Sequence, residues 1–167
     1  DPRIVPGART VDAVSFEEAS ELAYFGAKVL HPKTILPALN KNIPVRVLNS
    51  FNPSGTGTLI LKNVTRNGHV TAITSKNDIY VININSARML LAYGFLHHVF
   101  KLFDEFRIPV DMIATSEVNV TVTVEDKFDI TGLVEKLREF ATVTVLSDRA
   151  SISIVGSGIR LTPGLGS

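Results

Sequence analysis

Glu117-Val118-Asn119-Val120-Thr121-Val122-Thr123-Val124-Glu125 alternates without a break: Val118, Val120, Val122 and Val124 fall on one side, and Asn119, Thr121 and Thr123 on the other. A period of two with β-branched residues on the apolar side predicts a strand with one face against a core and one face wet. Val110 to Thr115, just upstream, is a second strand-like run, and the pair is expected to form a hairpin. Before it, Leu96, Val99, Phe100, Phe103 and Phe106 follow helical spacing, while Lys101, Asp104 and Glu105 fall on the opposite side. Pro109 is expected to end that helix. After the hairpin, Ile130, Leu133, Val134 and Leu137 mark a second amphipathic helix, and Thr142 to Leu146 a further strand. Upstream, Val70 to Thr74 and Ile79 to Ile84 are β-branched runs separated by Ser75-Lys76-Asn77-Asp78, a turn composition.

Over residues 79–146 the order is strand, helix, strand, strand, helix, strand. This is the ferredoxin-like split βαβ arrangement, of the α+β class. Its antiparallel sheet carries both helices on one face and leaves the other to be covered by a partner. Ser151 to Val155 begins a further element. On the N-terminal side, Ser15 and Glu18 have capping-box spacing in front of Ala19, Leu22 and Ala23. Gly26 sits where that helix would end. Pro32 is placed to open a short helix carrying Ile35, Leu36 and Leu39, and Pro44 to Leu48 reads as a strand. Asn52-Pro53-Ser54-Gly55-Thr56-Gly57 is the strongest loop signal in the chain. After the run Thr58 to Leu61, the polar stretch Lys62 to His69 is the expected domain boundary.

The chain has 167 residues, 45% hydrophobic and 20% charged, as in a folded globular chain. Seventeen Lys and Arg against 16 Asp and Glu give a net charge of +1, which offers no reason to expect a nucleic-acid binder. Cys is absent, which excludes disulfides, thiolate metal sites and a Cys nucleophile. No apolar run approaches the roughly 20 residues needed to span a bilayer. Asp1-Pro2-Arg3 has neither an initiator Met nor a signal-peptide pattern, and the chain stops just after a strand-like run. We therefore expect a piece of a longer protein.

Few residues stand out chemically. His97 and His98 are adjacent, so on a helix they point about 100° apart and cannot chelate one metal together. Gly156-Ser157-Gly158 opens like a dinucleotide fingerprint, but Leu161 stands at the third glycine position, and a turn is the simpler reading. Asp104 and Glu105 read as the wet face of a helix. Asp111 sits one residue into an apolar strand. It is either an edge residue or it faces a cation, with Gly94 allowing a ligand to approach the backbone. An acid beside a helix start, whose amides favour a carboxylate, suits a zwitterion such as an amino acid.

Phe25-Gly26-Ala27-Lys28-Val29-Leu30-His31-Pro32, preceded by Asp1-Pro2-Arg3 and Glu17-Glu18-Ala19, resembles the C-terminal part of the aspartate kinase catalytic domain. Met89 to Phe100, with Gly94-Phe95-Leu96, and then Val110-Asp111-Met112-Ile113-Ala114-Thr115-Ser116-Glu117 resemble the first regulatory ACT unit of the same family. The resemblance implies three segments. Residues 1–63 are the end of an amino-acid-kinase α/β domain, 64–148 a connector and first ACT unit, and 149–167 the truncated start of a second. Aspartate kinases transfer the γ-phosphate of ATP, with Mg2+, to the side-chain carboxylate of L-aspartate, opening the route to lysine, threonine and methionine. By the same resemblance Arg3 and Lys28 belong to the nucleotide site, where fixed positive charge meets phosphate oxygens. The family's N-terminal kinase motif and its aspartate-binding residues are absent, so this stretch alone is expected to be inactive and to hold no catalytic residue and no metal.

Thr115-Ser116-Glu117 most resembles the lysine-inhibited class, in which the effector lies between ACT units of neighbouring subunits. The residues implied to line that site are Met89, Ala92, Gly94, Phe95, Leu96, Val110, Asp111 and Ser116. Ala92 replaces the Ser of the bacterial lysine-sensitive pattern, a hydroxyl contact worth roughly 0.5–1.5 kcal/mol. The implied partners are L-lysine, a second copy in a homodimer and the rest of the kinase chain, in the cytoplasm, with neither nucleic acid nor membrane. Threonine as effector, or a natural small regulatory subunit, are the alternatives.

Overall fold

The computed structural model describes residues 5–27, 30–65, 70–90, 93–159 and 163–164. Two compact units divide the chain: residues 1–75 with 152–167, and residues 76–151. The expected boundaries lay after residues 63 and 148; in the structure the divisions fall after 75 and 151, and the last segment belongs with the first unit.

The first unit opens with strand β1 (Ala13–Ser15) and helix α1 (Phe16–Tyr24). The capping box is formed: the Glu18 N–H donates to Ser15 Oγ at 3.0 Å and the Ser15 N–H to Glu18 Oε2 at 2.8 Å. Glu18 is itself buried, and its carboxylate also accepts the Thr71 hydroxyl. Helix α2 (Pro32–Lys41) starts on its proline and ends at Asn42, whose backbone is left-handed at φ 52°. Strands β2 (Val45–Val47) and β3 (Thr58–Leu61) complete a three-stranded sheet in the order β1-β3-β2. There β1 runs parallel to β3 and β2 antiparallel to it. Val14, Phe16, Ala19, Ile35 and Ile60 form its core. Of the three α2 residues expected inside, Ile35 is buried, but Leu36 and Leu39 are exposed. Helix α2 packs beside α1 and buries a narrower stripe than its apolar spacing offers.

The second unit has the expected ferredoxin-like order. Strand β4 (Ala72–Asn85), which lies in this unit from Lys76 onward, leads through a 3-10 turn (Ala87–Leu90) to helix α3 (Phe95–Glu105). Strands β5 (Met112–Thr115) and β6 (Asn119–Glu125), helix α4 (Thr131–Arg138) and strand β7 (Thr142–Val155) follow. The sheet order is β5-β6-β4-β7, with β6 antiparallel to both neighbours. The alternation read in β6 is realised: Val120, Val122 and Val124 are fully buried. With Ile82, Ile84 and Val143 they meet Val99, Leu102 and Phe103 of α3 and Leu133, Val134 and Leu137 of α4. Both helices therefore cover one face. On the other, Thr121 Oγ1 donates to Asn83 Oδ1 at 2.7 Å, and Asn119 Nδ2 to Thr121 Oγ1 at 3.1 Å.

Four local readings need correction. Residues 70–74 and 79–84 are not two strands around a turn, because β4 runs unbroken through Ser75-Lys76-Asn77-Asp78. Likewise 142–146 and 151–155 belong to one strand, β7. Asp78 and Asp148 explain both: each takes a positive φ, 58° and 52°, so the polar segment makes a one-residue kink within the strand instead of a reversal. The buried face of α3 is Val99, Leu102 and Phe103. Leu96 and Phe106, expected inside, lie at the helix ends and are each 39% exposed. The helix also stops before Pro109. Arg107 turns left-handed at φ 53°, and the Ile108 N–H closes on Phe103 C=O at 2.9 Å, a Schellman ending.

Candidate effector site

The amino-acid site expected in the second unit can be built from its backbone. After β4, the Ser86 N–H donates to Val118 C=O at 2.9 Å and the Met89 N–H to Ser86 C=O at 3.0 Å, fixing the 3-10 turn against the sheet. The chain then reaches Gly94, the N-cap of α3, at φ 84°. Nothing blocks a Cβ there, but a side chain would be strained at that φ. Gly94 brings no side-chain acceptor, so the first-turn amides of α3 have no side-chain cap. Beside them Met89, Tyr93, Gly94, Phe95, Leu96 and His97 line an open cleft of about 400 Å³. That volume is within the range of small-molecule sites, roughly 300–1,000 Å³.

Four of the eight expected effector residues, Met89, Gly94, Phe95 and Leu96, thus converge on one cleft. Ala92, and the expected nucleotide residues Arg3 and Lys28, lie outside the described residues. Val110, Asp111 and Ser116 are placed along β5 and its flanks, not in the lining of that cleft. Val110 packs against the core. The Ser116 N–H donates to Asn119 C=O at 2.8 Å, tightening the β5–β6 hairpin.

Asp111 is held in a charge cluster. Its N–H donates to Thr123 C=O at 2.9 Å, and its Oδ2 accepts from Lys76 Nζ at 2.7 Å. The same ammonium reaches Glu125 Oε1 at 2.9 Å, and Lys127 pairs with the other oxygen of Glu125. Lys76 thereby ties β4 to the start of β5 and the end of β6. Burial works against its charge, but the hydrogen bonds and attraction of Asp111 and Glu125 outweigh this and hold the ammonium above the usual lysine range. Lys127 and then Lys76 hold the Glu125 carboxyl below the usual glutamate range.

Lys76, Glu125, Tyr93 and His97 were not singled out from the sequence as part of a ligand site. Lys76 is hidden in turn-like composition. Tyr93 and His97 follow from where α3 begins, since N-terminal helix residues line whatever lies beside its first turn. His98, by contrast, packs on Phe140 with ring centres 4.6 Å apart. Gly156-Ser157-Gly158 forms the turn that leaves β7, as the simpler reading had it. Among the described residues, no helix is long and apolar enough to cross a membrane.

Fold and cleft together define a ferredoxin-like unit with an open cleft at the start of α3, joined to a small α/β unit. Comparison with known proteins gives the family. The Amino acid kinase family profile matches residues 1–49. Aspartokinase 2, chloroplastic, of Arabidopsis thaliana is 42% identical over 94% of this chain and 31% of its own length. The Lysine-sensitive aspartokinase 3 of Escherichia coli is 34% identical over 99% of this chain and 39% of its own. The crystal structure of E. coli aspartokinase III in complex with lysine and aspartate superposes with a TM-score of 0.83 at 36% identity, over 93% of this chain and 36% of that one. The chain belongs to the aspartate kinase family, and it spans about a third of the length of the curated relatives it matches.

Proposed function

We propose that this chain is the regulatory end of an aspartate kinase, an enzyme that phosphorylates the side-chain carboxylate of L-aspartate from ATP and Mg2+, and that it binds L-lysine as a feedback inhibitor. The observation that carries the reading is the convergence of Met89, Gly94, Phe95 and Leu96 on one cleft beside the uncapped start of α3. Amides there suit the ligand's carboxylate; Asp111, outside that lining in the same copy, supplies negative charge for an amino group where a second copy completes the site. The 34% identity to a lysine-sensitive relative favours lysine over threonine. One unit's open cleft does not enclose an amino acid, so a second copy across a two-fold axis completes the site. Arg3 and Lys28 contribute positive charge to the nucleotide site, and the remaining kinase chain supplies the rest. A cytoplasmic location goes with this reading.

The test is calorimetry with L-lysine, L-threonine and L-methionine on the enzyme that carries this stretch. Lysine binding is expected, and Asp111→Ala should weaken it by about 2–5 kcal/mol by leaving the ligand's cation poorly compensated. Inhibition should weaken in parallel while uninhibited activity persists, because the effector acts by favouring one conformational state. Binding of threonine alone would overturn the lysine assignment. This stretch by itself should show no aspartate-dependent ATP turnover.

A further inference from the structure

We propose that Lys76 is a built-in competitor for the effector's amino group: its ammonium occupies Asp111, and a cationic ligand must displace it to bind. The inference rests on the assignment of Asp111 to the effector site and adds what sets the affinity there.

The geometry supports competition rather than passive scaffolding. Lys76 Nζ lies 2.7 Å from Asp111 Oδ2, a charge-assisted hydrogen bond, with both side chains largely shielded at 18% and 14% exposure. A ligand ammonium seeking that carboxylate would approach where an ammonium already sits. Among the described residues, Lys76 and Lys127 stand against Asp111 and Glu125 in these ion pairs.

Withdrawal does not strand the lysine, since Glu125 Oε1 is its second partner at 2.9 Å. The ammonium can pass from two carboxylates to one without being left unpaired. Because Lys76 is tethered, its effective concentration at Asp111 is on the order of millimolar or more. A free amino acid competes against that. If Asp111 is open about a tenth of the time, the apparent Kd is about tenfold above the intrinsic one. The position thus sets the concentration at which the inhibitor acts.

The experiment is calorimetric titration of the full enzyme with L-lysine, comparing wild type with Lys76→Met, Lys76→Gln and Asp111→Ala, each checked for a cooperative thermal transition. Lys76→Gln keeps hydrogen-bonding atoms beside the two carboxylates and guards against a Lys76→Met chain that does not fold. Both Lys76 variants are expected to bind L-lysine about tenfold more tightly, and adding Asp111→Ala should erase the gain. If either folded Lys76 variant binds lysine as wild type does, or more weakly, while Asp111→Ala still weakens binding, competition is overturned and the site assignment survives. If Asp111→Ala leaves lysine affinity unchanged, the site assignment fails and this inference falls with it.

Discussion

Replacing Phe103 with alanine is the sharpest test of how the ferredoxin-like unit is held together. Periodicity alone gives Phe100 and Phe103 equal standing on one helix face. The structure separates them. Phe103 is 3% exposed and lies in the cluster with Val99, Leu102 and the β6 valines. Phe100 is half-buried and packs at the margin of that cluster, its ring centre 6.2 Å from that of Phe103. Emptying a fully buried phenylalanine site costs about 3–5 kcal/mol, the transfer term plus the cavity left behind. Phe100→Ala gives up part of one ring's burial and leaves no enclosed void, so about 1–2 kcal/mol is expected. Native-state hydrogen exchange at the amides of Val120, Val122 and Val124 reads the opening free energy of this unit apart from that of the first. At tenfold per 1.4 kcal/mol, Phe103→Ala should accelerate exchange by about a hundredfold or more, and Phe100→Ala by about tenfold. Equal costs, or a larger one for Phe100, would refute the assignment of the buried face of α3.

Two further outcomes follow from geometry and charge. Gly57 holds φ 64°, and a Cβ there would lie 2.2 Å from the Val47 carbonyl oxygen; Gly57→Ala should destabilise the first unit by more than about 2 kcal/mol, seen as loss of exchange protection in β2 and β3. Glu125 is held below its ordinary value of 4.5 by Lys127 and Lys76, so the unfolded chain takes up the proton first. Its stabilisation is therefore present above that value and is lost as pH falls through the lowered one. Glu125→Gln should flatten this part of the acid limb of a stability-versus-pH curve, and an unchanged slope would place the ion pairs outside the folding equilibrium.

Much of the fold was legible in local pattern. The alternation from Glu117 to Glu125 determines a half-buried strand because side chains in a strand have a period of two whatever surrounds them. The Ser15–Glu18 capping box and the Pro32 helix start are equally local, since each is satisfied within a single turn. The order of strands and helices then leaves few compact arrangements, and the ferredoxin-like one is among them. The motifs around Lys28, Gly94 and Asp111 carried the family.

Only the tertiary structure decided the rest. Ser75-Lys76-Asn77-Asp78 has the composition of a turn, but whether the chain reverses or kinks depends on what pairs with it. Residues 79–85 are locked in register with β6, and Asp78 absorbs the irregularity in one residue. Helical spacing offers α3 a stripe of five apolar residues; the sheet beneath buries Val99 and Phe103 of them and adds Leu102, which the stripe leaves out. The contact between Lys76 and Asp111 spans 35 residues of sequence. It exists because β6 lies between β4 and β5, bringing the end of one edge strand within reach of a side chain two strands away. No local period encodes such a meeting, because strand order, and with it the neighbours of every charge, is a property of the whole sheet.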